Sequence, residues 1–567
     1  MSTSVSRQSN SFPGFFVSVV HTRPSQLLPT AMAFPLRESL ECVAGITAIQ
    51  WTTLALGAVS LYASVRCFYH LYLHPASRFP GPKLAAISNV WYAYYWVTGK
   101  YPMAIAKALN KYGDVVRIGP NELVFISPKA ASDIYASHTK HMEHFPKAKF
   151  VDLGGGDKGL TWETDPAKHR DVAKRIAPAF SVKSIRSKEP TMHKYIDLFV
   201  WKMREVGGQQ GGIELRTWTD WVAMDISAEL AYGHEMHQVE RAKTAPFLDS
   251  LWGVNFFVAI HQILHRFPLL SPLQYAFVPP AAIVSELRAR SLNRAKLEQR
   301  IAQRGATKHA DHFDQLSPAS APDPMPREKK HLEVVAAQLL IAGYEPISSQ
   351  FLCTLMFSLQ EPKLHQQLVD EIRSAFARYE DITPDALAGL PLLHAALLET
   401  LRLTFIGGGG LPRVSPGATV DGHHIPRGVG VQYAHWAFTR SPRYFHEPRC
   451  FRPQRWLPAD HPAWDPAFAS DATEHFFPFS QGPRSCPGMG LRGARRGCLL
   501  PRCSGRLTSS PCPAKSRSFL RTRFACTACG ANRSSGFGCF RGRNRDLTNE
   551  APSRPSLSCR WKDLGGR

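Results

Sequence analysis

Cysteine is scarce where a secreted framework would need it. Of 12 cysteines in 567 residues, only Cys42, Cys67, Cys353, Cys450 and Cys486 fall in the first 490, and they lie far apart. That excludes a small disulfide-stapled extracellular scaffold and suits a reducing compartment. No internal repeat is present, which excludes a solenoid or propeller. Excess charge is also missing from most of the chain. The formal net charge is +23, but Leu491 to Arg567 alone holds 15 Arg and 2 Lys against 3 acids. A basic balance ordinarily points to nucleic acid or an anionic membrane. Confined to a tail, it argues against nucleic acid as the partner of the main body. At 44% hydrophobic and 20% charged the chain is globular, and it is long enough for one large domain or several smaller ones.

Charge is absent altogether from Cys42 to Val65, a run of 24 residues. That length crosses a bilayer with some tilt, although several Thr, Ser and Gln leave a buried core helix as the competing reading. Arg66, Arg78 and Lys83 follow the run, whereas Arg37 before it is offset by Glu38 and Glu41. The asymmetry puts the bulk of the chain in the cytosol. The expected division is an N-terminal extension (1–41), an anchor (42–65), a main domain (66–490) and a basic tail (491–567). Pro75, Pro80 and Pro82 make a stiff connector behind the anchor. "DVVRIGPNELVFIS" from Asp114 reads as a hairpin, and most of Pro128 to Gly305 carries helical periodicity. An apolar helix runs from His331, two more helices follow, and "GATVDGHHIP" is strand-like. The fold class is mainly α with a minor β portion.

One short stretch carries chemistry. In "FSQGPRSC", Phe479, Gly482, Arg484 and Cys486 are set at fixed intervals, with Gly488 beyond. A lone cysteine cannot build a structural zinc site, which takes four ligands. The glycines permit tight turns around the sulfur, Arg484 offers a fork for a carboxylate, and Phe479 a flat apolar face. A thiolate beside a cationic fork suits haem, with its propionates and its sulfur-accepting iron. A structural cysteine in a glycine-rich turn is the alternative.

This stretch resembles the haem-binding loop of cytochromes P450. Three further segments agree in order: "LLETLRL" with Glu399 and Arg402, "FRPQRWL" with Arg455, and "LIAGYEPISS" in the place of the oxygen-binding helix. The resemblance spans about Leu71 to Gly490, and its early part is similar to membrane-bound fungal P450s of secondary metabolism. It implies the P450 fold behind one transmembrane helix, and haem b with Cys486 as axial thiolate. Phe479, Gly482, Arg484 and Gly488 would form the cofactor loop. Arg413 and His169 would lie at the propionates, although an ordinary surface arginine remains the other reading of Arg413. Glu399, Arg402 and Arg455 would form a structural triad behind the haem. The implied reaction is monooxygenation of a lipophilic small molecule with O2. Electrons would come from NADPH through the flavins of a separate P450 reductase, on the cytosolic face of the endoplasmic reticulum.

The chain departs from the family at four places. Gln454 stands where many relatives have Glu, and Ala173 where an Arg is common four residues after His169, with Lys174 next to it. The oxygen-binding helix has its acid, Glu345, but Pro346 replaces the usual Thr. Glu345, Ser348, Ser349, water or a substrate hydroxyl would then relay protons, unless Glu345 is merely a solvated acid at a helix break. Loss of the Thr also admits isomerase or dehydratase chemistry on the same haem. Behind Gly490 the periodicity vanishes, as a shifted reading frame or splice junction would produce. A haem-free remnant is the third outcome that tail allows.

Overall fold

The computed structural model describes residues 47–149, 156–207, 213–307, 311–404 and 410–489. The expected N-terminal extension, the first residues of the anchor, Gly490 and the basic tail lie outside them. The chain divides into two compact units, at Arg66 and Cys67. In the first, the described residues form helix α1 (Ala48–Phe68), which buries none of its side chains. Ala48–Leu73 is long and apolar enough to cross a membrane, with mean hydropathy 1.2. The helix outruns the expected end at Val65 by three residues.

The second unit carries nine longer helices among its described residues: α2 (Tyr101–Tyr112), α3 (Pro166–Ile176), α4 (Glu189–Val206), α5 (Leu215–Tyr232), α6 (Pro246–Leu264), α7 (Pro280–Ala302), α8 (Pro326–Gln360), α9 (Pro362–Ala375) and α10 (Pro391–Thr404). α6 also passes the length and apolarity test for a span, but 44% of it is buried inside the fold. α2 shows why these segments coil: Tyr101, Ala104, Ile105, Ala108 and Leu109 fall on one face and are all buried. α8 starts at a proline, Pro326, ahead of the expected start at His331. Proline at a first helical turn sacrifices no bond, and the Glu328 side chain accepts from the Met325 N–H at 2.9 Å. The helix then runs unbroken through Pro346.

Two main cores divide this unit, beside a small cluster of Leu297, Phe313 and Leu332. The larger joins α4, α5, α8, α9 and α10 around Phe199, Val222, Met224, Ala336 and Ala396. The smaller surrounds a four-stranded sheet of β1 (Val115–Gly119), β2 (Glu122–Phe125), β8 (Gly430–Tyr433) and β5 (Arg413–Val414), in that order. β1 and β2 form the expected hairpin. β2 pairs in parallel with β8, and β8 antiparallel with β5, so Arg413 lies opposite Val431. Two hairpins flank it: β3 (His138–Thr139) with β4 (Met142–Glu143), and β6 (Ala418–Val420) with β7 (His423–Ile425). The "GATVDGHHIP" segment is thus strand, as its alternation implies.

Candidate functional site

The cysteine loop is shaped by its own backbone. Gly482–Arg484 make a single 3₁₀ turn, and the Cys486 N–H returns to the Phe479 carbonyl at 2.8 Å. Gly482 has φ +69°, and a Cβ there would meet the Tyr135 carbonyl oxygen at 2.2 Å. Only glycine tolerates both conditions. Gly488 sits beside the sulfur, where an added Cβ would be 3.6 Å from Sγ. Cys486 is exposed and carries a thiol, as do Cys67, Cys353 and Cys450.

Arg484, Arg413 and His169, placed far apart in sequence, belong to one buried electrostatic cluster. His169 arrives on α3, whose start is fixed by Pro166 and by Asp165 accepting from the Ala167 N–H at 2.9 Å. Of that helix only His169 and Ile176 are buried. Arg413 arrives on β5, 4% exposed, with its guanidinium 5.1 Å from the Tyr135 ring centroid. Its acceptors are the carbonyls of Leu411 and Pro412, both at 3.3 Å. Among the described residues it has no ion pair. Arg484 donates from Nε to Glu143 at 2.6 Å and from Nη1 to the Glu163 carbonyl. Its Nη2 lies 2.6 Å from the same Glu143 oxygen but is buried without a well-directed hydrogen bond.

Glu143, Lys147 and Tyr135 were not singled out in the sequence. Glu143 lies on β4, and Lys147 bridges to Arg413 as an antiparallel pair. No local motif marks these residues, because the contact between Glu143 and Arg484 closes a loop of 341 residues. The cluster depresses its own bases. Burial, then Arg413 and Arg484, push the Lys147 ammonium down to about 7, against the pull of Glu143. Burial, then Arg484, lower His169 to about 4, so it is neutral at pH 7.

Whether haem fits is decided by this charge. Arg413, Arg484 and Lys147 face one carboxylate, Glu143, so the buried cluster carries one excess positive charge, and a second whenever Lys147 is protonated. Two carboxylates would neutralise it, and haem carries two propionates. Arg484 Nη2 offers a buried donor, and the thiol of Cys486 lies two residues along. The donor set fits the group.

Behind the loop the acid–arginine triad is assembled and fully buried. Glu399 binds Arg402 through both oxygens at 2.8 Å, and accepts from Arg455 Nε at 3.2 Å, Trp456 Nε1 at 2.9 Å and the Arg452 N–H at 2.9 Å. Arg402 also donates to the carbonyls of Thr439, Pro448 and Cys450. Arg455 donates to Asp471 and to the His446 carbonyl. Asp471 is a fourth member that sequence spacing did not expose.

Glu345 and Ser348 fall elsewhere, in the contact between α8 and α5. Ser348 is buried and donates to Asp220, also lying 3.2 Å from Thr219 Oγ1. Its hydroxyl is thus committed to a neighbouring helix. Burial, then the charge of Asp220, raise the Glu345 carboxyl above its ordinary range, with Arg216 opposing. Glu345 is partly buried, so the reading of it as a fully solvated acid does not hold.

The sequence profile of the family described as Cytochrome P450 matches residues 80–495. The chain is 48% identical over 441 residues to the cytochrome P450 monooxygenase TwmD of Talaromyces wortmannii, covering 77% of this chain and 86% of that protein. It is 32% identical over 456 residues to the monooxygenase BOA3 of Botryotinia fuckeliana, covering 80% and 89%. A monooxygenase of Colletotrichum orbiculare, btcC, is 32% identical over 448 residues, covering 77% and 84%. With a matching profile over most of its length and a cysteine loop backed by a buried acid–arginine triad, the chain belongs to the cytochrome P450 family.

Proposed function

We propose that this P450 monooxygenase is tethered by the helix near its N-terminus and oxidises a lipophilic small molecule of fungal secondary metabolism. Its main domain (66–490) faces the cytosol at the endoplasmic reticulum, drawing electrons from NADPH through a membrane-bound reductase. The anchor is supported by the apolar helix Ala48–Leu73 and the basic residues behind the expected span. The observation that carries the reading is the cysteine loop joined to a buried cluster with excess positive charge.

Cys486 would supply the thiolate that holds the haem iron, and haem bound there would supply the oxygen-activating chemistry. Gly482 and the bond from the Cys486 N–H to the Phe479 carbonyl fix the direction of the sulfur, and the Phe479 ring shields it. Gly488 leaves room beside it. Arg484 and Arg413 hold propionates, and neutral His169 donates a hydrogen bond to one of them. Glu345 keeps its proton to higher pH than an exposed carboxyl and would serve as a proton donor, with Asp220 and Ser348 maintaining its surroundings. The basic tail is a frame or splice product, supported by the profile match ending at residue 495. Transcript sequencing that confirmed the present frame through Arg567 would remove that part.

The reduced, CO-bound protein should show the red-shifted Soret band of thiolate ligation. Cys486→Ala should abolish that band and turnover; a variant that kept both would overturn the reading. Pro346 favours a second reading, isomerisation or dehydration without oxygen insertion, because proline offers neither hydroxyl nor N–H at the usual Thr position. Product mass under labelled dioxygen separates the two: a heavy oxygen in the product supports monooxygenation, and its absence the alternative.

A further inference from the structure

Family members commonly carry an arginine four residues after the base on α3, and here Ala173 takes its place. Lys174 does not replace it, because its side chain is exposed. We propose that Lys147, from the segment behind β4, supplies the missing cation of the haem propionate pocket; this rests on the haem reading above. The placement is set by backbone. The Val414 N–H bonds the Pro146 carbonyl at 2.8 Å and the Ala148 N–H the Pro412 carbonyl at 3.1 Å. Lys147 therefore lies directly opposite Arg413, and opposed residues of an antiparallel pair project to one face.

The ammonium has three donors. Among the described residues one goes to the Thr161 carbonyl, and the Trp162 ring lies 5.2 Å away. The charged groups acting on it come from three directions: Glu143 on β4, Arg413 on β5 and Arg484 in the cysteine loop, with His169 of α3 in the same cluster. Glu143 is already taken by Arg484, so the lysine has no carboxylate of its own. Burial and these like charges hold it near its neutral form, at about 7. Two propionates would restore the charged ammonium and balance the cluster; without Lys147 one positive charge would face two negative ones.

The test uses the full chain loaded with haem, transferring it to excess apomyoglobin, beside thermal unfolding of loaded and haem-free protein. Lys147→Met should release haem about tenfold faster or more, as expected for loss of one charge-assisted bond. Lys147→Arg should retain it. The haem-free Lys147→Met chain should unfold no earlier than wild type, since it removes a buried amine whose ionisation the fold opposes. A purely structural lysine, pinning the Thr161 carbonyl, would instead lower both unfolding midpoints alike, and that result would overturn the proposal. So would unchanged haem release from Lys147→Met in a wild type that holds haem. A wild type unable to hold haem would overturn the haem reading itself, and this assignment with it.

Discussion

Glu399 has no access to water and is ion-paired to both Arg402 and Arg455. Burial alone would raise its pKa, but the charge and bonds of Arg402, then Arg455 and the Arg452 N–H, reverse this and hold it below the ordinary carboxylate range. A carboxyl depressed in the fold contributes stability that is present above its unfolded value, about 4.3. That contribution is lost as pH falls through the folded value. Glu399→Gln leaves two buried guanidiniums short of a charge and should cost about 3–5 kcal/mol. Chemical denaturation and the haem-to-protein ratio should both fall with it. Gly482→Ala should fail differently. Its backbone lies in the left-handed region, and the obstruction is a carbonyl of the neighbouring Ser132–Ala136 turn. Haem content should drop while much of the helical signal survives. Gly488→Ala, whose methyl meets Sγ at ordinary contact distance, should still fold and load haem. These residues were legible because their spacing is local: Gly482, Arg484 and Cys486 share a single loop, and Glu399 and Arg402 one helical turn. Glu143, Lys147, Tyr135 and Asp471 were not, because each gains meaning only from a partner brought in by the fold.

Among the elements, α8 departs most from what the family resemblance implies. A proline inside a helix costs about 3 kcal/mol through the lost bond and the clash with the preceding turn. Here the helix nevertheless continues for 14 residues beyond Pro346, because its far half is buried against α5 and α10. Gln350 donates to the Leu397 carbonyl at 2.8 Å, and Thr354 to Thr400 at 3.0 Å. Tertiary bonds of this kind are absent from any periodicity argument, which placed the helix correctly but began it at His331 instead of Pro326. Pro346→Ala should restore the N–H and stabilise the protein by about 1–3 kcal/mol, read as a higher denaturant midpoint at constant slope. An unchanged midpoint would show that the surrounding structure has relaxed fully around the proline. Asp220→Asn probes the same interface. It removes the negative charge that helps to raise Glu345, so the Glu345 carboxyl should titrate at lower pH, shifting the acid limb of any turnover profile downward.

Across the whole molecule, burial of bases sets how the fold responds to acid. His169 and His234 are held at about 4 and His435 at about 3, in each case chiefly by burial. They reside in separate parts of the fold, on α3, behind α5 and after β8. An unfolded histidine titrates near 6.5, so between about 6.5 and 4 the unfolded chain binds up to three more protons than the folded one at these positions. Stability must therefore fall as pH drops through that window, by about 1.4 kcal/mol per pH unit for each proton. His234 is only half-buried, and solvent narrows its share. Carboxyls raised by burial work the other way. Asp220, Asp225, Asp311 and Glu345 take up protons in the folded state before their unfolded counterparts do. Their offset begins where the folded carboxyls start to titrate, and it reduces the loss that the histidines cause. Urea unfolding of the haem-free chain from pH 7 to 5 should show a midpoint that falls with pH. His435→Phe removes the base held lowest of the three and replaces it with a ring that can pack on Phe476, whose centroid lies 5.3 Å from that of His435. The variant should lose close to one proton from the slope while keeping the midpoint at pH 7. A slope unchanged by that substitution would mean that His435 does not stay neutral inside the fold, and the acid response would then rest on the remaining buried histidines.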